Sequence, residues 1–301
     1  MLFPGHGAEL PRMGLALANA HPPAARLLEH AGECGGFDAV RVLRRGGDRL
    51  SNTRVLQPLM TAVLLGIVDA LAAGGVHPDI ALGHSLGELS AWSALGGVGA
   101  TATIELAATR GRGLDAITTE HPGAMLALPA LTSKALDDAL RLGRAHGVVD
   151  PALHSAPDRW VLSGDRPALQ HVAERFGGSF VPTSGAWHCR HMTPARAVFA
   201  EGLRVLDGTI TPTPTLICNQ TGDWLGETDP VPSLLAQIDG PVRFAECMQT
   251  LRGAEPRAVI AVGPPKVTRS LVRANWGEIA EREILVAETP RDIERVIEVL
   301  G

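Results

Sequence analysis

The chain has 301 residues, of which 45% are hydrophobic and 20% charged, so it is long enough to bury a large core and ordinary enough to be globular. Its formal net charge of −5 gives no basis for nucleic-acid binding. The four cysteines are widely spaced and form no CxxC pair, which argues against a disulfide framework or a zinc site and favours a reducing cytoplasm. At this length we expect one large domain with an insertion or a second small domain.

The start of the chain predicts one strand and one long apolar helix. The residues MLF predict a strand that leads into a turn at PGHG, and the basic and apolar regions of a signal peptide are absent. The helix is predicted over residues 53–73. Gln57, Pro58 and Asp69 interrupt its apolar run, which favours a buried helix over a membrane span, so we expect no membrane association.

A buried strand and two more helices follow. DIALG at 79–83 predicts the strand, and helical patterns extend over residues 86–95 and 101–117. Later in the chain the strands TLIC, AVIAVG and EILVAE are predicted, with helices between and after them. Short apolar runs that alternate with helical patterns indicate an α/β core built on a parallel sheet.

The middle of the chain has a different order of elements. Strands are predicted at GAMLALP, VVDPALHS, RWVLSGD and SFVPTS, with one helix after the first strand and another after the third. This β-α-β-β-α-β order is that of a ferredoxin-like unit. We therefore predict a small inserted domain over residues 123–185, and a core domain formed by residues 1–122 and 186–301.

The segment GHSLGE, residues 83–88, places a serine at the predicted corner between strand and helix. Gly83 and Gly87 leave room for the backbones to approach there, so that Ser85 projects from the turn as an exposed nucleophile. Nearby backbone N–H groups can then stabilise a developing oxyanion. The alternative is a chance G-x-S-x-G match in a loop, against which the flanking strand and helix argue.

A serine hydroxyl is a weak nucleophile and needs a base, which is most often histidine. The chain has 11 histidines, and His191 is the last of them. In α/β-hydrolases the histidine comes late in the chain, so this sequence does not fit the order of a standard hydrolase. A base from the middle of the chain, just after the inserted domain, fits better.

Several motifs follow one another along nearly the whole chain. They are FPGHGAE at 3–9, Gln57-Pro58, GHSLGE at 83–88, Arg110-Gly111, WHCRHM at 187–192, CNQTG at 218–222, GPVRF at 240–244 and VGPPKV at 262–267. In this order they resemble the malonyl-CoA:acyl carrier protein transacylases, the acyltransferase family of fatty-acid and polyketide synthesis. The resemblance implies an α/β-hydrolase-like core with a ferredoxin-like insert, in agreement with the predicted elements.

The resemblance also implies the roles of the reacting residues. Ser85 is the nucleophile, and His188 takes its proton and later activates the incoming thiol. The backbone carbonyl of Gln237 orients His188, which then needs no carboxylate partner. The backbone amides of His6 and Leu86 form the oxyanion hole.

Two further residues are implied to bind or arrange the substrate. Arg110 binds the free carboxylate of a malonyl group, because a planar guanidinium meets a carboxylate with two parallel hydrogen bonds. Gln57 arranges the site by hydrogen bonding. No metal or cofactor is expected, since the spacing of His188, Cys189 and His191 lacks the second ligand pair of a closed zinc site. His84 and His191 are interpreted as packing or hydrogen-bonding residues.

Two departures from the family pattern bear on the acyl group. His6 replaces a glutamine, which leaves the chemistry intact if only its amide acts and adds a titratable group if its side chain enters the pocket. Before His188 the chain reads Gly185-Ala186-Trp187, which matches neither the malonyl pattern HAFH nor the methylmalonyl pattern YASH. We predict that Trp187 borders the acyl pocket and limits bulk there; the alternative is a core tryptophan that faces away.

The implied function is a discrete, monomeric, cytoplasmic acyltransferase whose partners are a malonyl-type acyl-CoA and an acyl carrier protein. Three alternatives stay open: an acyl hydrolase of the same fold, a transferase for a larger acyl group or in a decarboxylase complex, and a non-catalytic docking subunit. Intact Ser85, His188 and Arg110 argue against the last. The arginines of RVLRR (41–45) and Arg252, Arg257, Arg269 and Arg273 either meet an acidic carrier protein or form a solvated surface.

Overall fold

The computed structural model describes residues 1–206 and 210–301, which form two β-sheets. The strands of the larger sheet are β1 (Leu2–Phe3), β2 (Ala81–Gly83), β7 (Leu216–Ile217), β8 (Ile260–Val262) and β9 (Leu285–Ala287). They are all parallel and lie in the order β7-β2-β1-β8-β9. The strands of the smaller sheet are β3 (Ala124–Ala127), β4 (Val149–Ala156), β5 (Arg159–Gly164) and β6 (Ser179–Phe180). They are antiparallel, in the order β4-β5-β3-β6.

Helices connect these strands. Between β1 and β3 lie α1 (Leu15–Ala20), α2 (Pro22–Gly35), α3 (Ala39–Arg45), α4 (Asp48–Ser51), α5 (Thr53–Ala73), α6 (Gly87–Ala94) and α7 (Ala100–Glu120). The smaller sheet carries α8 (Ser133–Arg144) and α9 (Arg166–Phe176). After it come the 3₁₀ turn Arg190–Met192, α10 (Ala195–Arg204), α11 (Val231–Ala236), α12 (Phe244–Gly253), α13 (Pro265–Trp276), α14 (Glu278–Glu283) and α15 (Pro290–Leu300).

The predicted fold class is confirmed: a parallel-sheet α/β core carries a smaller antiparallel sheet with two helices. The central strands β1, β2 and β8 are buried along their whole length. Strands buried on both faces read as continuous apolar runs, which is why the sequence shows them without alternation. Helices α1 to α4 were not predicted. The helices α1, α3 and α4 have only 6, 7 and 4 residues, too few for a helical period to show, whereas α2 has 14 residues and was missed although Ala24, Leu28 and Ala31 repeat at helical spacing.

The long helix α5 begins at Thr53 and ends at Ala73, as predicted. Asn52 caps it by accepting a hydrogen bond from the backbone N–H of Arg54. Among the described residues it is the one helix long and apolar enough to cross a membrane, but 72% of that stretch is buried inside the fold. It packs against α2 and α7, so the prediction of a buried core helix is confirmed.

The smaller sheet and its helices have a hydrophobic core of their own. Leu126, Leu162, Leu169 and Val172 are fully buried in it, separately from the main core. The order β3-α8-β4-β5-α9-β6, with β3 between β5 and β6, is the ferredoxin-like arrangement. This separate core supports residues 123–185 as a small domain, a boundary that we retain as a proposal.

Candidate active site

A tight turn between β2 and α6 exposes Ser85. The Ser85 backbone is left-handed, with φ of +51°, and its N–H donates a hydrogen bond to Asn219 Oδ1 at 2.8 Å. A Cβ atom at Gly83 would overlap the backbone of Gly87, and one at Gly87 would lie 2.5 Å from the carbonyl oxygen of Phe3. Both glycines are therefore required for the close approach of strand and helix.

His188 lies beside the serine in a geometry suited to a general base. Its Nε2 is 2.7 Å from Ser85 Oγ, and its Nδ1 is 2.7 Å from the backbone carbonyl oxygen of Gln237. A carbonyl oxygen can only accept, so Nδ1 carries the proton and Nε2 is free to accept from the serine hydroxyl. Burial, reinforced by the charge of Arg110, lowers the pKa of His188 to about 3, so the ring is neutral at physiological pH.

Arg110 is the buried cation of the site, with 5% of its surface exposed. Its Nη1 donates to Gln57 Oε1 at 2.9 Å, and its Nη2 donates to Gln237 Oε1 at 3.1 Å and to Ser85 Oγ at 3.3 Å. Burial lowers the pKa of Arg110 to about 10, which leaves the guanidinium charged at neutral pH. A fixed cation next to a nucleophile suits a substrate that carries an anionic group close to its reactive carbon.

Two backbone amides beside the serine are free. Within residues 1–206 and 210–301, neither the N–H of His6 nor that of Leu86 forms a hydrogen bond. Both residues line the cavity at Ser85. Free donors facing a nucleophile are what an oxyanion hole needs. Burial lowers the pKa of the His6 side chain, and Arg110 lowers it further against the opposing charge of Glu9.

The cavity next to Ser85 has a volume of about 240 Å³. Its polar lining includes His6, Gln57, Ser85, Arg110 and His188, and its apolar lining includes Leu114, Met125, Leu153, Val181, Trp187 and Ile238. The cavity therefore combines one cation, one nucleophile and an apolar wall, to which both the core and the smaller sheet contribute. Gln237 contacts two of the lining residues, Arg110 and His188. All eight residues predicted to form the site thus meet in one place.

Asn219 and Glu88 form hydrogen bonds beneath the Ser85 turn, and neither was predicted to belong to the site. Asn219 joins the end of β2 to the turn, since its Nδ2 donates to the carbonyl oxygen of Gly83 at 2.7 Å. Glu88 is 1% exposed and accepts from the backbone N–H of Asn219 at 2.8 Å. The sequence signal for Glu88 was its charge on a helix whose other residues are mostly apolar.

The remaining histidines noted in the sequence lie around this centre. His84 packs edge-on against the ring of Phe244 at 5.0 Å between ring centroids. His191 Nε2 pairs with Asp165 Oδ1 at 2.8 Å. Both therefore pack or form hydrogen bonds, as interpreted from the sequence.

One possible cation-binding group occurs among the described residues, away from the cavity. His30, Cys34 and Glu105 place their ligand atoms within 4.8 Å of one another on α2 and α7. Contacts of His30 Nε2 with Glu105 Oε1 at 3.2 Å and Cys34 Sγ at 3.5 Å already pair these groups. All four cysteines of the chain are free.

The smaller sheet holds the segment that carries His188. Asp150 on β4 accepts hydrogen bonds from the backbone N–H of Arg190 at 3.2 Å and from its Nε at 2.8 Å. Strand β4 also exchanges backbone hydrogen bonds with Val242, five residues after Gln237. The smaller sheet therefore contacts both the segment that carries His188 and the segment that follows Gln237.

A family model described as an acyl transferase domain matches residues 1–296. The chain belongs to this family. This acyl transferase domain is 28% identical over 309 residues to the malonyl CoA-acyl carrier protein transacylase of Bacillus subtilis (strain 168), covering 99% of this chain and 96% of that protein. It is 29% identical over 281 residues to the polyketide biosynthesis malonyl CoA-acyl carrier protein transacylase BaeC of Bacillus velezensis, covering 90% and 94%.

Solved structures share the fold of this acyl transferase domain over its whole length. The crystal structure of MCAT from Streptococcus pneumoniae superposes with a TM-score of 0.88 at 26% sequence identity, covering 99% of each chain. At that coverage the shared fold includes the parallel sheet and the smaller antiparallel sheet. The predicted family resemblance is confirmed.

Proposed function

We propose that this chain transfers a malonyl-type acyl group from coenzyme A to the phosphopantetheine thiol of an acyl carrier protein, through an ester on Ser85. The observation that carries the proposal is the buried guanidinium of Arg110, whose Nη2 lies 3.3 Å from Ser85 Oγ. A free carboxylate on the acyl group is the substrate feature that such a cation recognises. The names of the relatives agree with this substrate.

The first half of the reaction forms the acyl-enzyme. His188 Nε2 takes the proton of Ser85 as Oγ attacks the thioester carbonyl carbon, and the amides of His6 and Leu86 stabilise the oxyanion. The tetrahedral intermediate then collapses, the carbon–sulfur bond breaks, and coenzyme A leaves as a thiol with the proton returned by His188. Arg110 meanwhile holds the acyl carboxylate and so fixes the carbonyl carbon against Oγ.

The second half reverses these steps with a different thiol. His188 takes the proton of the carrier protein's phosphopantetheine thiol, whose sulfur attacks the ester carbon. Ser85 leaves and recovers a proton from His188. Each half-reaction returns the enzyme to its starting protonation state, so the residues present suffice without a metal or cofactor.

The proposal extends to the surroundings of the enzyme. The acceptor is an acyl carrier protein, and the enzyme is a monomer. It acts in the cytoplasm, where acyl-CoA donors and reduced thiols are present. The free state of all four cysteines supports a reducing compartment.

Intact-protein mass spectrometry with malonyl-CoA tests the nucleophile and the cargo together. The wild-type protein should gain the mass of one malonyl group and lose it on addition of holo carrier protein, which gains the same mass. Ser85→Ala should show no adduct, because among the residues that the structure describes the hydroxyl hydrogen-bonded to His188 is that of Ser85. A stable adduct on Ser85→Ala would refute the assignment of the nucleophile. Loss of the adduct to water at the same rate without carrier protein would instead identify an acyl hydrolase.

A further inference from the structure

Glu88 is a buried carboxylate close to the reacting residues but without contact to the cavity. It lies in the first turn of α6, and none of the described cations lies within ion-pair distance of it. Its Oε1 accepts from the backbone N–H of Asn219 at 2.8 Å, and its Oε2 accepts from Gln237 Nε2. A buried charge is costly unless it is paired. A counter-charge for Glu88 therefore has to act through a residue that lies between them.

That counter-charge is Arg110, and the side chain of Gln237 connects the two. Gln237 Nε2 faces three acceptors: Glu88 Oε2, the Ser85 carbonyl oxygen at 3.2 Å and Asn219 Oδ1 at 3.3 Å. Gln237 Oε1 faces the donor Nη2 of Arg110 at 3.1 Å. The partners therefore permit only one orientation of this amide, with nitrogen toward Glu88 and oxygen toward Arg110.

Gln237 consequently serves both functional groups of the site. Its backbone carbonyl accepts from His188 Nδ1 at 2.7 Å, and its side-chain oxygen holds Arg110. Gln57 holds the other terminal nitrogen of Arg110 at 2.9 Å. Nη1 therefore keeps a second hydrogen for a carboxylate in the cavity, while the second hydrogen of Nη2 points toward Ser85 Oγ at 3.3 Å.

We propose that Glu88 is a positioning residue for acyl transfer: its carboxylate fixes the orientation of the Gln237 amide, which in turn holds Arg110 ready for the acyl carboxylate. The inference rests on the proposed function. A neutral amide between the two charges matters, because a carboxylate in direct contact with Arg110 would compete with the substrate's own carboxylate.

Glutamine at position 88 would disrupt the orientation of the Gln237 amide without changing the shape of the side chain at position 88. Its carbonyl oxygen would be needed by the N–H of Asn219, so its NH₂ group would face the NH₂ group of Gln237. Two donors cannot pair, and the Gln237 amide would turn over. Its nitrogen would then face the nitrogen of Arg110, which would lose one of its two glutamine acceptors.

Protonation of Glu88 would have the same effect. Burial raises the pKa of Glu88 to about 7, against the opposing hydrogen bonds from Asn219 and Gln237. The titratable groups that interact with it are Arg110, Cys218 and Cys247. Below this pKa the added proton would face the Gln237 nitrogen, so the KM for malonyl-CoA should rise as the pH falls through about 7. The Glu88→Gln variant should lack this dependence.

The first experiment compares the wild type with Glu88→Gln in two reactions. The kcat/KM for malonyl-CoA should fall about 10- to 100-fold, mainly through KM, because Arg110 loses a hydrogen-bonding partner in a buried site. Inactivation of Ser85 by a sulfonyl fluoride, which has no carboxylate, should change less than about 3-fold. The control is Glu246→Gln, which removes a half-buried carboxylate paired with His154 at 2.9 Å, away from the cavity, and should leave KM unchanged.

The second experiment separates positioning from stability with the exchange Glu88→Gln/Gln237→Glu. In this double variant the amide introduced at position 88 donates to the carboxylate introduced at position 237. The other oxygen of that carboxylate faces Arg110, so the contacts from position 88 through position 237 to Arg110 are paired again. The Ser85 carbonyl oxygen and Asn219 Oδ1 lose the donor that Gln237 Nε2 supplies. The urea midpoint should return toward the wild-type value, while the KM for malonyl-CoA stays raised because Arg110 is now neutralised directly.

Two outcomes would reduce Glu88 to a structural residue. One is recovery of both stability and KM in the double variant, and the other is an unchanged KM and pH profile in Glu88→Gln. If the wild type itself gains no malonyl group, the proposed function fails instead.

Discussion

Ser85 and His188 are both held in left-handed backbone conformations, with φ of +51° and +61°. For residues with a side chain each such conformation costs on the order of 1–3 kcal/mol, and it persists only where the surroundings determine it. Asn219 and Gln237 supply that restraint. Asn219 Oδ1 accepts from the Ser85 N–H, and Gln237 Nε2 donates to the Ser85 carbonyl oxygen. The backbone carbonyl of Gln237 accepts from the His188 ring. The reacting atoms are therefore aligned by the folded chain before the substrate binds.

Replacement of Arg110 by alanine should separate malonyl from acetyl transfer. Without the guanidinium, a bound malonyl carboxylate is desolvated and unpaired, at a cost of about 2–5 kcal/mol, whereas an acetyl group has no carboxylate to lose. Measured kcat/KM values for malonyl-CoA and acetyl-CoA should show a loss confined mostly to malonyl. Equal losses for both substrates would mean that Arg110 supports the structure and that the acyl group carries no carboxylate.

Trp187 lines the cavity, and its position next to His188 predicts a limit on branched acyl groups. A Cβ at Gly185 would lie 2.5 Å from Trp187 Cη2, so the indole occupies the room that this glycine leaves. Within the described residues its Nε1 has no hydrogen-bond partner, so packing alone holds the ring. Overpacking by a C2 methyl group should cost about 1–3 kcal/mol.

The measurement is kcat/KM for methylmalonyl-CoA and malonyl-CoA in the wild type and in Trp187→Ser. The methylmalonyl-to-malonyl ratio should rise by roughly 5- to 150-fold, the factor that corresponds to the overpacking cost. An unchanged ratio in a folded variant would show that Trp187 only packs and that acyl choice is made elsewhere.

At the scale of the elements, the approach of α7 to α5 sets the position of Arg110. A Cβ at Gly111 would lie 2.8 Å from the carbonyl oxygen of Thr53, in the first turn of α5. This close approach brings Arg110 to Gln57, four residues further along α5. In the Arg110-Gly111 pair, the glycine thus allows the close helix packing that places the arginine beside Gln57.

Gly111→Ala should therefore lower both stability and malonyl transfer. The methyl group has to push the helices apart, at about 1–3 kcal/mol, and it moves Arg110 away from Gln57. Gly113→Ala is the matched control on the same helix, since its Cβ would lie 3.4 Å from Val198, an ordinary contact. Alanine there should stabilise the helix by about 0.5–1 kcal/mol. The measurements are urea unfolding and kcat/KM for malonyl-CoA in both variants. Similar changes in the two variants would contradict the role of the close approach at Gly111.

At the scale of the whole molecule, the smaller sheet and the core meet at the His188 segment. Burial alone would raise the pKa of Asp150, but hydrogen bonds from Arg190 and the charges of Arg190 and Arg144 lower it below its usual value. This ion pair therefore stabilises the fold above the unfolded-state pKa of about 3.9, and its contribution is lost as the pH falls through the lower folded-state pKa.

Asp150→Asn should loosen this connection. The free energy of unfolding at pH 7 should fall by about 1–3 kcal/mol, because Arg190 loses its charged acceptor. The rate of Ser85 acylation should fall as well, since the segment that carries His188 is less firmly held. Stopped-flow acylation and urea unfolding measure the two effects. A stability loss with an unchanged acylation rate would show that the sheet does not position His188.

The sequence by itself predicted the strands, the long core helices and the residues proposed to react. Apolar runs mark the buried strands, and Gly83 and Gly87 mark the close approach at Ser85, because these signals depend on neighbours along the chain. Ser85, His188, Arg110 and the carbonyl of Gln237 were recognised by motif. Helices α1, α3 and α4 escaped prediction because they are too short for a helical period to show, and the 14-residue helix α2 was missed despite its periodic apolar face.

Only the tertiary structure decided how these residues act on one another. Ser85 meets His188 across 103 positions, Arg110 meets the Gln237 side chain across 127, and Glu88 meets that side chain across 149. No local pattern encodes such pairs, because they arise where the sheet, α7 and the loop after α11 converge. The same convergence buries Glu88, and burial turns an ordinary acidic residue into one whose every hydrogen bond has to be satisfied.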